Sequence, residues 1–241
     1  MIFHDDIQRR DYLATRPATI AIDGPAASGK TTVAEKLAKC LGFIFFDTGV
    51  MYRAVTWVAL TRFHRVDNEE EVSQLAETLQ IDVRMPSVDD GRLYDVLVNG
   101  EDVTWHIRRP EVDANVSQVS TYRRVRNVLT QQQRKIGERG AVVMVGRDIG
   151  TVVMPDAQIK IYLDASVEER ARRRYLEVVN RGQKAKYEEI LEAMKRRDQI
   201  DSSRAIAPLM PASDAVIIQT DGMGINEVVE QVKGLVMEKN V

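Results

Sequence analysis

Residues 24–31 constrain the fold more tightly than any other stretch of the chain. Gly24-Pro25-Ala26-Ala27-Ser28-Gly29-Lys30-Thr31 has the complete G-x-x-x-x-G-K-[ST] spacing. Before it runs Thr19-Ile20-Ala21-Ile22-Asp23, a short apolar strand. After it, apolar residues at 33, 34, 37, 38 and 41 fall on one face of a helix. A strand, a glycine-rich turn and a helix N-terminus in that order form an anion cradle. Backbone N–H groups and the positive end of the helix dipole then face phosphates. Gly24 through Thr32 are thus the expected binding loop for ATP, with Lys30 reaching the outer phosphates and the Thr31 hydroxyl placed on Mg²⁺. A plain glycine turn in a βα unit is the alternative; the flanks favour nucleotide binding.

Five apolar runs, 19–23, 43–46, 141–145, 158–163 and 215–219, read as buried parallel strands separated by helical patterns. The expected fold class is α/β: a P-loop core whose five-stranded parallel sheet is flanked by helices. Gly42 suits the C-terminus of the first helix. Ser166 and Glu169 form a capping box opening the helix after the fourth run. A last helix is expected over 225–238, with Val228, Val229, Val232, Leu235 and Val236 on one face.

Residues 47–140 are too long a connection for one crossover helix. Ile81–Met85, Arg92–Val98 and Glu101–Val103 read as a small inserted antiparallel sheet, with Asn99-Gly100 as a type I′ hairpin turn. A helix over 127–136, ending near Gly137 or Gly140, leads back to the core. The expected organisation is an N-terminal extension over 1–17 and a core over 18–241. Within the core lie an acceptor-binding insertion at about 64–125 and a lid at about 174–187.

Composition removes several function classes. The 34 basic and 36 acidic residues leave a net charge of −2, no footing for a nucleic-acid or membrane-surface binder. Cys40 is the only cysteine, so no internal disulfide forms, and its position reads as a buried, inert thiol on the apolar side of the first helix. No apolar run reaches membrane-spanning length and residues 1–17 are too charged for a signal-peptide core, so a soluble cytoplasmic protein is expected; a monomer is the expected state, though these features do not decide it. His4, His64 and His106 are scattered, and surface positions are expected for them. Asp221-Gly222-Met223-Gly224 has the form of a nucleotide-switch D-x-x-G but reads as a turn, since no guanine-reading motif accompanies it. Asp47 and Asp164 each follow an apolar strand as a magnesium-site carboxylate would. With two competing matches, neither is assigned.

Ligands of open α/β sheets bind at the carboxyl ends of the strands. Three segments deliver arginine and aspartate to that rim: Asp47 to Arg53, Gly146 to Thr151, and Arg196 to Arg204. Guanidinium groups suit a second phosphate, and carboxylates suit ribose hydroxyls or an exocyclic amine. Alone, Arg147 with Asp148 also reads as a structural ion pair, and Arg197, Asp201 and Arg204 as one salt-bridged helical face. Tyr52, Trp57 and Phe63 read as helix packing. Arg170, Arg172, Arg173 and Arg174 crowd one helix before Asn180-Arg181-Gly182. They read as a solvated face or as a mobile lid in which Arg173 or Arg174 neutralises moving charge.

The chain resembles the bacterial-type cytidylate kinases, within the nucleoside monophosphate kinases. The likeness rests on Ile22-Asp23-Gly24-Pro25, Asp47-Thr48-Gly49, Met51-Tyr52-Arg53, Val98 to Val103, Ser117-Gln118-Val119-Ser120 and Val125-Arg126. It continues through Gly146 to Val153 and Ala205-Ile206-Ala207-Pro208-Leu209. By that resemblance Thr48, Arg197 and Asp201 hold the ribose of CMP or dCMP. Ser117, Arg126 and Asp148 read the cytosine, and Arg53, Arg147 and Arg204 grip its phosphate. Lys30, Arg147, Arg204 and a lid arginine, Arg173 or Arg174, stabilise charge during transfer from ATP, with Mg²⁺. Thr48 stands where many members have serine, which keeps the hydroxyl. Ala26 and Ala27 stand where glycine is commoner, of little consequence while their φ stays negative. The rival readings are a P-loop kinase of a small hydroxylated metabolite and a non-catalytic P-loop switch.

Overall fold

The computed structural model describes residues 18–84 and 86–238. The expected N-terminal extension with its His4, and Met85 of the expected third strand of the insertion, lie outside them. The five expected core strands are β1 (Thr19–Asp23), β2 (Ile44–Asp47), β6 (Val142–Val145), β7 (Ile159–Asp164) and β8 (Val216–Gln219). They form one parallel sheet in the order β2-β6-β1-β7-β8. β1 is central, with Ile22 opposite Val145 on one side and Ile161 on the other. The period-two alternation of a strand sorts its side chains into two layers. Ala21, Phe46 and Met144 face one core, while Ile20, Ile22, Val143, Val145 and Ile161 face the other.

The second layer is closed by α1 (Lys30–Leu41) and α8 (Ile225–Glu238). The stripe Val33, Ala34, Leu37, Ala38 and Leu41 is buried, as are Val228, Val229, Val232 and Val236. Leu37 has no exposed surface, and burying a leucine of that kind contributes about 1.5–3 kcal/mol. α1 stops at Gly42, whose φ of 71° is the left-handed cap expected there. Cys40 departs from expectation. It is exposed, because position 40 lies outside the 33/34/37/38/41 stripe, beside the exposed Lys39.

The first layer holds α2 (Gly49–Phe63) and α5 (Arg123–Gly137), and both carry the insertion. α2 is buried on several sides because it packs on the sheet and on the inserted elements. α5 begins four residues earlier than expected, so Val125, Arg126 and Leu129 form its buried side. Within the insertion, β3 (Ile81–Arg84), β4 (Asp95–Val98) and β5 (Glu101–Asp102) form the expected antiparallel sheet. Its turn has φ of 51° at Asn99 and 88° at Gly100, the two positive values a type I′ turn requires. Two helices here escaped the sequence reading. α3 (Glu69–Thr78) is capped by Asn68 accepting from Glu71 N–H, and α4 (Pro110–Val119) opens on proline.

β7 leads into α6 (Val167–Asn180), which turns at Arg181–Lys186 into α7 (Tyr187–Ser203). Half of the expected capping box is present: Ser166 Oγ accepts from Glu169 N–H. The reciprocal bond is replaced, because Ser166 N–H donates to Asp221, while Glu169 pairs with Arg172 and Arg173. Asp221-Gly222 is a turn, as expected. Among the described residues no helix is long and apolar enough to cross a membrane.

Candidate active site

The loop after β1 is set by one steric fact. A Cβ on Gly24 would lie 2.1 Å from the Leu163 carbonyl oxygen, at a φ of 144°, so only glycine fits. Three residues on, expectation fails: Ala27 has a φ of 60°, in the left-handed region. A non-glycine residue held there costs of order 1 kcal/mol. Lys30, in the first turn of α1, is 5 % exposed. Its Nζ folds back to donate to the Pro25 carbonyl and, at 3.3 Å, to Ser28 Oγ. Burial, then the charge of Arg147, pulls Lys30 well below the ordinary lysine value. A bound polyphosphate would reverse that shift by restoring an opposite charge.

Two cavities meet at this lysine. The smaller, about 360 Å³, is bordered by Lys30, Thr31 and all nine residues the resemblance assigns to the acceptor. The larger, about 870 Å³, is bordered by the P-loop, by Arg172, Arg173, Arg174 and Arg181, and by Met223 and Ile225.

In the smaller cavity, β6 ends at Val145 and the chain presents Arg147 and Asp148. These do not pair with each other, contrary to the structural reading. Arg147 Nε donates to Asp201 at 2.9 Å, and Asp148 accepts from Arg126 Nη2. Asp148 and Arg126 are 6 % and 2 % exposed. Arg126 also donates to Ser120 O at 3.0 Å and lies 5.5 Å above the Tyr52 ring. Tyr52 therefore does more than pack its helix: its face supports the guanidinium that holds Asp148. Burial dominates at Arg126, yet Tyr52 and Asp148 leave its pKa raised.

Arg197 and Asp201 project from α7, and Arg204 follows as its cap rather than extending the helical face. Burial would raise Asp201, but Arg147, Arg204 and Arg197 hold it below the ordinary carboxylate value. Burial and the neighbouring Arg147 bring Arg197 down to about 10. Arg197 Nε and Arg204 Nη2 are buried with no hydrogen-bond partner among the described residues. Orphaned guanidinium donors at a cavity wall are what an anionic ligand satisfies. Thr48 Oγ1 donates to Val145 O at 2.9 Å, leaving its lone pairs for the cavity. Ser117 comes from α4, and Arg53 from α2, where it is held by Asp113 and by Ile107 O at 3.2 Å.

The sheet order, the P-loop and this two-cavity site agree with a match to the family model described as cytidylate kinase, over residues 20–238. A cytidylate kinase of Herpetosiphon aurantiacus is 49% identical over 225 residues, covering 93% of this chain and 96% of that protein. One of Chloroflexus aggregans is 52% identical, covering 86% and 88%. One of Anoxybacillus flavithermus is 48% identical, covering 92% and 96%. The chain belongs to the cytidylate kinase family.

Within that family frame the α6 arginines differ in placement. Arg173 is tied to Glu169 and to Thr220, and borders only the larger cavity. Arg174 borders both cavities and pairs with Glu177 at 2.8 Å. Arg170 is no surface residue. Its guanidinium, 5% exposed, donates to the Ala26 carbonyl at 3.2 Å and pairs with Asp198 at 2.5 Å. It braces the P-loop from behind, a role no local spacing reveals. Asp23 was also missed; it is buried and accepts from two N–H groups of the segment after Asp148. The available signal was a carboxylate ending an apolar strand beside a phosphate loop, where it needs donors of its own.

For Mg²⁺ the chain offers oxygen donors: Thr31 and Asp47 border both cavities. Hydroxyl and carboxylate suit this hard cation. Among the described residues no group of three or more His, Cys, Asp or Glu could hold a metal.

Proposed function

We propose that the chain transfers the γ-phosphoryl group of ATP to CMP or dCMP, releasing ADP and CDP or dCDP. The observation that carries this reading is the meeting of the two cavities at Lys30, the smaller one holding both unpartnered arginine nitrogens and a buried carboxylate. ATP lies with its phosphates on Gly24 to Thr32 and extends into the larger cavity toward Met223 and Ile225. CMP fills the smaller one. Thr48, Arg197 and Asp201 hold its ribose; Ser117, Arg126 and Asp148 read the base; Arg53, Arg147 and Arg204 grip its phosphate.

A CMP phosphate oxygen attacks the γ-phosphorus, and the bond from that phosphorus to the β–γ bridging oxygen breaks, leaving ADP. The acceptor is already anionic at neutral pH, so no general base is needed. Catalysis comes from aligning two polyphosphates and neutralising charge on the moving group. Lys30, Arg147 and Arg204 supply that charge, and Arg174 joins them from α6 because it reaches both cavities. Arg53 must leave Asp113 for the phosphate, and residues about 174–187 close over the donor as a lid. Thr31 would hold Mg²⁺, which when bound offsets phosphate charge. The chain acts in the cytoplasm as a monomer.

The test is ADP release from ATP with each ribo- and deoxyribonucleoside monophosphate, and with shikimate and gluconate. Turnover concentrated on CMP and dCMP supports the reading; turnover on a hydroxylated acid replaces it.

A further inference from the structure

Asp23 ends β1 immediately before the P-loop, is 4% exposed, and lines neither cavity. Its Oδ1 accepts from Ile149 N–H at 2.9 Å and its Oδ2 from Gly150 N–H at 2.8 Å. Those amides open the single helical turn Ile149–Val153, and the first N–H groups of any helix lack partners within it. The residues just before them are Arg147 and Asp148, the two side chains that strand β6 sends into the acceptor cavity. Gly150 sits close against β7: a Cβ there would lie 3.2 Å from the Lys160 side chain. Upstream, Gly146 N–H donates to Ile22 O at 3.2 Å. The Arg147–Asp148 pair is thus suspended between a backbone bond to β1 and a carboxylate clamp from β1.

We infer that Asp23 is a positioning residue, fixing the two acceptor-contacting side chains Arg147 and Asp148 by clamping the amides that follow them. This rests on the acceptor reading proposed above. The clamp hangs the base-reading segment on the same strand end that carries the phosphate loop, so donor and acceptor share one rigid reference. β1 is paired on both sides, with Asp23 itself opposite Tyr162. A change confined to the side chain therefore leaves the P-loop anchored and shifts the 147–150 segment. Burial, above all, pushes the Asp23 carboxyl up to about 6. The groups facing it are Asp148, Lys30 from α1, and Tyr162 and Lys160 from β7, the last with its ammonium paired to Asp214. A carboxyl raised in the folded state carries its charge at a stability cost above that pH; a neutral isostere removes that cost but leaves one of the two buried amides without an acceptor.

The experiment compares wild type with Asp23→Asn, which keeps the shape and one acceptor. Expected are a fall of about 10- to 100-fold in kcat/KM for CMP, the worth of one charge-assisted hydrogen bond, and a reduced CMP:UMP ratio. Affinity for a non-hydrolysable ATP analogue stays within about threefold. CMP and UMP reduced in equal proportion, or unchanged kinetics, overturns the inference. A second arm needs neither turnover nor a folded variant. In wild type, the amide proton resonances of Ile149 and Gly150 should titrate together as pH falls through about 6. Amides that respond at no pH down to acid unfolding overturn the clamp. Absence of any CMP turnover in wild type overturns the functional reading instead, and the amide titration still decides the clamp.

Discussion

Asp148→Asn changes one atom type at the base-reading position and separates recognition from folding. Asp148 accepts from Arg126 inside the protein, where both are almost fully buried. Alanine there would strand a buried guanidinium, at a cost of about 3–5 kcal/mol. Asparagine keeps a carbonyl for Arg126, so the pocket stays built. Its amide can no longer accept as a charged oxygen from the exocyclic amine of cytosine, and it can donate to the carbonyl that uracil carries instead. Losing a hydrogen bond to a charged acceptor is worth about 1.5–3 kcal/mol, or roughly 10- to 150-fold in kcat/KM for CMP. UMP should change little or improve, so the CMP:UMP ratio collapses toward one or inverts. The assay is steady-state ADP formation with each nucleotide at saturating ATP, with chemical unfolding measured alongside. Arg53→Ala is the control: it weakens CMP and UMP alike, because a phosphate contact carries no base information. An Asp148→Asn enzyme that keeps its full CMP preference removes Asp148 from base reading.

Lys30→Ala should lower kcat strongly while leaving unfolding unharmed, since Lys30 is a buried cation held below its ordinary pKa; turnover within about twofold of wild type would take the P-loop out of the donor site. Ala27→Gly relieves the positive φ and should raise stability by up to about 1 kcal/mol in urea unfolding, with the KM for ATP unchanged; a loss of stability would contradict the strain. Trypsin should cut the free protein at Arg181, Lys184 or Lys186, all exposed between α6 and α7, and cut more slowly with a bisubstrate analogue; equal cleavage would argue against a lid there.

What the sequence made legible was local chemistry. The P-loop, the Asn99-Gly100 turn, the Gly42 cap and the α1 and α8 stripes each declare themselves within a few residues, and the structure has all of them. The five strands were readable because both faces of a parallel sheet are buried, which produces runs such as Val142–Val145. What stayed hidden depends on partners distant in the chain. Arg147 and Asp148 look like a pair, but Asp201 lies 54 residues from the first and Arg126 22 from the second. Ala27 takes its left-handed φ in a loop that Gly24 packs against Leu163 and Arg170 holds at Ala26, contacts no spacing rule contains. Cys40 was misplaced by a fraction of a helical turn. α3 and α4 were missed because the insertion was read through its hairpin alone.

The most direct test of the central claim is the ratio of kcat/KM for CMP to that for UMP in the wild-type protein with ATP and Mg²⁺. A buried carboxylate poised to accept from cytosine predicts a ratio of at least about ten, the worth of one modest hydrogen bond. Equal use of the two nucleotides, or a preference for UMP, would contradict it.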